Sequence, residues 1–146
     1  MKSKYAIIRE EYNPETFESV VEIETDIGRF VGKTVADEQD RLCPSMWQGN
    51  QIALGKAQKK FAKAAIRILK AEVTTYEKVY NTFEPIVDHI WDFPEWTDFM
   101  RNYNSKRKEL ELWQTRLAIV GISIKNRVDA RDKITAKYIA EKVKEG

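Results

Sequence analysis

Eight basic side chains punctuate residues 101–131: Arg101, Lys106, Arg107, Lys108, Arg116, Lys125, Arg127 and Arg131. Arg116 and Arg127 fall where the surrounding pattern is most apolar. A guanidinium there calls for a carboxylate or phosphate partner, because an unpaired buried charge is costly. Just upstream, Tyr80, Phe83, Trp91, Phe93, Trp96 and Phe99 make an unusually aromatic stretch. Rings beside arginines suit a purine carrying phosphates, with stacking for the base and forked donors for the oxygens. The plainer alternative is that the arginines snorkel along a helix surface, pairing with Glu109 or Glu111, while the rings form a small core under a loop. Both readings stay open at this level.

Other chemistry has little raw material. His89 is the only histidine and Cys43 the only cysteine. Neither a transition-metal site nor a Ser/His/Asp triad is expected around them, and neither residue is given a role. Arg41 is the sole basic neighbour of Cys43, too little for an activated thiol. The carboxylate pairs Glu10/Glu11 and Asp37/Glu38/Asp40 read as solvated surface. No glycine-rich phosphate loop, HExxH or GxSxG is present. The expectation is a binding protein, not an enzyme, with no cofactor and no metal.

These residues must be positioned by two long helices behind a strand-rich head. Residues 4–12, 17–25 and 29–34 read as three short strands, separated by turns at Asn13-Pro14-Glu15-Thr16 and Asp26-Ile27-Gly28. Along the second, Phe17, Ser19, Val21, Ile23 and Thr25 alternate with Glu18, Val20, Glu22 and Glu24. Ser45 with Gln48 offers a capping box, and Asn50 a competing helix start. The stripe Ala62, Ile66, Leu69, Val73, Tyr76, Tyr80, Phe83 has the four-three spacing of a helix buried against another helix. A second stripe on the same helix, Leu54, Ala57, Phe61, Ala65, Ile68, points to the sheet as a further neighbour.

Pro85 ends the first helix near Phe83. Asp92-Phe93-Pro94-Glu95 starts the second, whose stripe is Trp96, Phe99, Tyr103, Leu110, Trp113, Leu117, Val120, Ile124. From residue 96 to 128 it spans about 50 Å. Residues 128–132 weaken the stripe, so a bend or break is expected there, followed by a short tail through Ile134, Tyr138 and Val143. The fold class expected is α+β: an N-terminal antiparallel β-meander, two long antiparallel α-helices and a C-terminal helical tail. One domain covers 1–146, with a head (1–48), helix 1 (49–83), a connector (84–95), and helix 2 with the tail (96–146). The second helix carries more apolar stripe than so small a head covers, so a homodimer or larger even-numbered oligomer is expected.

The net charge of +2 hides segregation. Residues 1–48 carry six basic against ten acidic residues, and 49–82 seven against two. The connector 83–96 has four acids and no base, and 97–146 twelve bases against seven acids. An acidic head discourages non-specific DNA binding, while basic helix faces can meet an anionic ligand. No apolar run approaches the ~20 residues that span a bilayer, and the first residues lack a signal-peptide h-region. A cytoplasmic setting is expected.

The strands around Phe17–Thr25 and Ile27–Gly32, the Gly49-Asn50-Gln51-Ile52-Ala53-Leu54 opening of a lysine-rich helix and the long second helix together resemble a family of phage proteins, the Thoeris anti-defence signal sponges of the first type. The resemblance is one of architecture and covers most of the chain. It implies a small phage protein, working in the bacterial cytoplasm, that sequesters a cyclic ADP-ribose isomer made by immune enzymes without degrading it. Members form dimers that associate further, and some bind cyclic trinucleotides at separate sites. Carried onto this chain, the resemblance implies Phe83 as the stacking residue with Trp91 as a second aromatic, and Arg116 and Arg127 as phosphate ligands with Arg101 and Arg107 next. Two rival classes remain: a nucleic-acid-binding phage protein using basic helices as a phosphate track, and a coiled-coil interaction protein.

Overall fold

The computed structural model describes residues 1–86 and 93–145. It has the α+β order expected: strands β1 (Tyr5–Asn13), β2 (Glu18–Thr25) and β3 (Gly28–Val35), then helices α1 (Met46–Phe83) and α2 (Pro94–Glu145). By packing, the chain divides into two units, and both helices run through each. One unit is Lys2–Phe61 with Leu117–Gly146, the other Met1 with Ala62–Arg116.

In the sheet-bearing unit the strands form an antiparallel meander in the order β1-β2-β3. Asn13 builds the first turn. Its side-chain oxygen accepts the backbone N–H groups of Glu15 (2.9 Å) and Thr16 (3.3 Å), and Phe17 N donates to Asn13 O at 2.8 Å. Phe17 closes that turn at φ 59°, left-handed backbone that a bulky side chain rarely adopts, so β2 begins one residue later than the alternation suggests. The second turn is clasped by Thr25, whose hydroxyl donates to Gly28 O (2.7 Å) and accepts from Ile27 N (3.2 Å). A register shift between Ile7 and Arg9 leaves Ile8 as an extra residue in β1.

Val21 and Ile23 of β2 are buried together with Ile52, Ala53, Ala57 and Phe61 of α1. Val20, which points to the opposite face of β2, is buried too, so that face is covered at this position as well. Phe30 stacks on Phe61 at 5.6 Å, which makes the sheet the second neighbour that the stripe on α1 requires. Gly32 permits the close approach: a Cβ there would lie 1.8 Å from Ala53 O and 2.6 Å from Ala57 N. Helix α1 starts at Met46, because Ser45 Oγ accepts the Gln48 N–H at 3.2 Å, half of the expected capping box.

The bend expected at 128–132 is absent; α2 is helical without interruption from Pro94 to Glu145. The physical reason is that Arg131 and Thr135 continue the inward face by polar means. Arg131 Nε lies 3.0 Å from Asp40 Oδ2, and Thr135 Oγ1 donates to Asp40 Oδ1 at 2.7 Å. All three side chains are buried.

The other unit is an antiparallel helix pair. Tyr76 of α1 packs on Phe99 and Tyr103 of α2, and Tyr80 on Trp96 and Tyr103. Lys106 bridges the helices to Glu72 at 2.9 Å and also reaches Glu109 at 3.7 Å. Glu109 in turn accepts the Met1 ammonium. The hydrogen bond to Glu72 and the charges of Glu72 and Glu109 hold the Lys106 pKa above its usual 10.5. Pro94 occupies the first turn of α2, with Phe93 O accepting the Trp96 N–H at 3.0 Å. No described helix is long and apolar enough to cross a membrane.

Candidate functional site

Of the five described side chains among the six singled out in the sequence, four belong to the helix-pair unit, and it does not gather them. Phe83 is 42% exposed and lines a cleft of about 390 Å³ with Val79, Phe93, Glu95, Trp96 and Phe99. Arg101, Arg107 and Arg116 are not among the residues lining it. Arg101 faces solvent, 3.4 Å from Asp98. Arg107 lies over the Tyr103 ring at 5.4 Å, and Arg116 over Trp113 at 4.7 Å. Arg116 therefore meets an aromatic face where the sequence suggested Glu109 or Glu111. Trp91 lies outside the described residues, as do His89 and the expected helix cap Asp92.

Arg127 belongs to the sheet-bearing unit and has the richest surroundings of the four arginines. Its guanidinium stands over the Trp47 ring at 5.0 Å. It borders a polar pocket of about 230 Å³ with Tyr5, Gln51, Leu54, Gln58 and Ser123. Gly55 forms part of the wall against Ile124, whose Cγ1 would lie 2.7 Å from an added Cβ. Gln58 Nε2 donates to the Tyr5 hydroxyl at 2.8 Å, which leaves the phenolic proton free to donate to a ligand. The only formal charge in the lining is the arginine. An arginine, two primary amides, a hydroxyl and a phenol facing one space suit an anion.

Three elements meet there for reasons legible afterwards. Extending the second stripe of α1 backwards gives Trp47, Gln51, Leu54, Gln58 and Phe61, again spaced by four and three. Two half-buried glutamines on this row mark an edge of the helix that is partly covered yet polar. Spacing of apolar side chains alone does not reveal such a row, because its polar members break the stripe. Trp47 itself is 55% exposed, so much of its ring stays open beyond the guanidinium.

Beside the Asp40–Arg131 pair lies a small cavity of about 10 Å³, near the least that holds one water. The buried Ser19 hydroxyl lines it and has no hydrogen-bond partner among the described residues. Lys56 feels the same neighbourhood: partial burial lowers its pKa from 10.5, with Arg131 and Lys59 pushing the same way. Among the described residues no cluster of histidine, cysteine or carboxylate side chains is placed to hold a metal ion. No protein-family model matches the chain, and neither a curated protein nor a solved structure is found to be similar to it.

Proposed function

We propose that the protein binds and sequesters a phosphate-bearing nucleotide signal of the cyclic ADP-ribose type, without turning it over, as the anti-defence sponges it resembles do. The observation that carries this reading is Arg127, held over the half-exposed Trp47 ring at the border of a pocket whose other polar lining groups are uncharged. The pocket is smaller than the ~300–1,000 Å³ that encloses a whole drug-sized ligand, so it takes the phosphate end while the base lies over Trp47. Assembly belongs to the same reading. Ile119 and Ile122 of α2 are 60% and 61% exposed, a pair of large apolar side chains that a second copy of the chain would cover, in keeping with a homodimer or larger even-numbered oligomer. The setting proposed is the cytoplasm of an infected bacterium.

Calorimetric titration with cyclic ADP-ribose isomers tests it. Saturable binding is expected, with ligand of unchanged mass released on heating. Arg127→Ala should weaken binding more than tenfold, the ~2–3 kcal/mol of a lost charge-assisted contact, and Trp47→Ala by a stacking contribution of ~1–3 kcal/mol. Lys108→Ala, on an exposed face, should leave binding unchanged. Recovery of linear ADP-ribose would reveal an enzyme. Loss of binding in Phe83→Ala with Arg127→Ala unaffected would move the base to the other cleft.

A further inference from the structure

Among the described residues, Arg127 is the one charged side chain that lines its pocket. The remaining polar lining comes from Tyr5, Gln51, Gln58 and Ser123, and the wall these groups present to the space is mainly polar. Gln58 Nε2 donates to the Tyr5 hydroxyl at 2.8 Å, so the phenolic proton stays available as a donor. Trp47 supports the guanidinium from one side at 5.0 Å, and no carboxylate in the lining competes for it. The pocket thus offers a single counter-charge among neutral hydrogen-bonding groups.

That count of charges discriminates among phosphates. A phosphate esterified twice, as in a cyclic or internal nucleotide linkage, carries one negative charge. A terminal phosphomonoester carries about 1.5 to 2 at neutral pH, because its second pKa is about 6. The cost of removing an ion from water grows as the square of its charge, whereas its attraction to one arginine grows only in proportion. Doubling the charge therefore roughly quadruples the penalty for about twice the attraction. The second charge also finds no partner among the lining residues. We infer that the Arg127 pocket selects singly charged, doubly esterified phosphates and discriminates against terminal phosphomonoesters. This rests on the nucleotide reading of the same pocket and specifies which nucleotides it admits. Linear mononucleotides such as AMP are then kept from filling a site that sequesters a cyclic signal.

The test is calorimetric titration of the full-length protein with AMP and, in parallel, with adenosine 5′-methyl phosphate, which keeps the base and sugar but caps one charge. At pH 8 the methyl ester should bind about five- to tenfold more tightly. At pH 5 AMP is protonated to a single charge, and the described lining holds no histidine or carboxylate. The two ligands should there converge to within about twofold. Ser123→Lys, at an exposed position, adds a second cation and should erase the preference at pH 8 by strengthening AMP. Arg127→Ala should weaken the ester more than tenfold, and thermal melts of both variants check that the fold is intact. AMP binding as tightly as the ester at pH 8, or a preference that survives unchanged at pH 5, would overturn the inference and leave the nucleotide reading standing. Ester binding unaffected by Arg127→Ala, or no saturable binding of either nucleotide, would end the nucleotide reading of this pocket and the inference with it.

Discussion

Arg131 and Asp40 form a buried ion pair in which Nε lies 3.0 Å from Oδ2, although the N–H is not aimed squarely at that oxygen. The second carboxylate oxygen is satisfied by the Thr135 hydroxyl. Breaking such a pair from one side leaves the other charge buried alone. Asp40→Asn should therefore cost about 3–5 kcal/mol in urea denaturation, whereas Thr135→Val should cost about 1 kcal/mol. Replacing both charges at once, Asp40→Leu with Arg131→Met, should recover most of the loss. A loss for Asp40→Asn no larger than that for Thr135→Val would show that the charges are effectively solvated.

Two glycines should respond in opposite directions to alanine. Gly32→Ala forces a methyl group into the α1 backbone, so it should destabilise by several kcal/mol or prevent folding. Gly121 lies within α2 with nothing within 4 Å of an added Cβ, so Gly121→Ala should stabilise by about 0.5–1 kcal/mol. Midpoints of thermal melts on the two variants read both signs.

Two lysines have pKa values displaced in opposite senses. Lys106, raised above 10.5, contributes stability in full below that pH and loses it as pH climbs through its folded value. Its removal in Lys106→Met should cost about 0.2–1 kcal/mol at neutral pH, as for other part-exposed pairs. Lys56, lowered below 10.5, costs stability while charged, and that cost fades between its folded value and 10.5. Lys56→Met should thus raise the neutral-pH Tm, with the gain fading as pH climbs to 10.5 and above. Parallel melts at neutral pH and at 10.5 separate the two behaviours.

Exposed isoleucines on α2 make the proposed assembly testable without disturbing the protomer. Ile119→Asp and Ile122→Asp should dissociate the oligomer in light scattering at micromolar concentration while leaving helicity unchanged, since both side chains already face outward. Leu117, half-buried within its own chain, is the poorer probe because its substitution also strikes intramolecular packing. A wild-type protein that scatters as a 17.1 kDa monomer would end the assembly proposal.

Much of the framework was written in periodicity. The three strands, the proline stop near Phe83 and the facing stripes through Tyr76, Tyr80, Phe99 and Tyr103 all follow from spacing of apolar side chains. What spacing concealed was chemistry placed on the inward row in polar form. Arg131 and Thr135 keep the rhythm Ile124, Val128, Arg131, Thr135, Tyr138, yet a charge there looks like the end of a buried face. Their partner Asp40 sits in a loop full of acids, and nothing local sets it apart from Asp37 and Glu38. The partnership of Trp47 with Arg127 was equally hidden, because it joins the first turn of one helix to the later part of another. Long-range pairing of this kind is decided by how the elements dock, which local pattern does not encode.

The clasp between Asp40 and residues 131–135 also has a temporal consequence. During synthesis the meander emerges early with Val21 and Ile23 available, and α1 can cover them once residues 52–61 have followed. The loop bearing Asp40, however, waits for some ninety further residues before Arg131 and Thr135 arrive. A nascent chain stalled before that point carries an unmatched carboxylate on a half-built head. Final locking of the head is then a late step, closed across a long sequence separation and correspondingly slow.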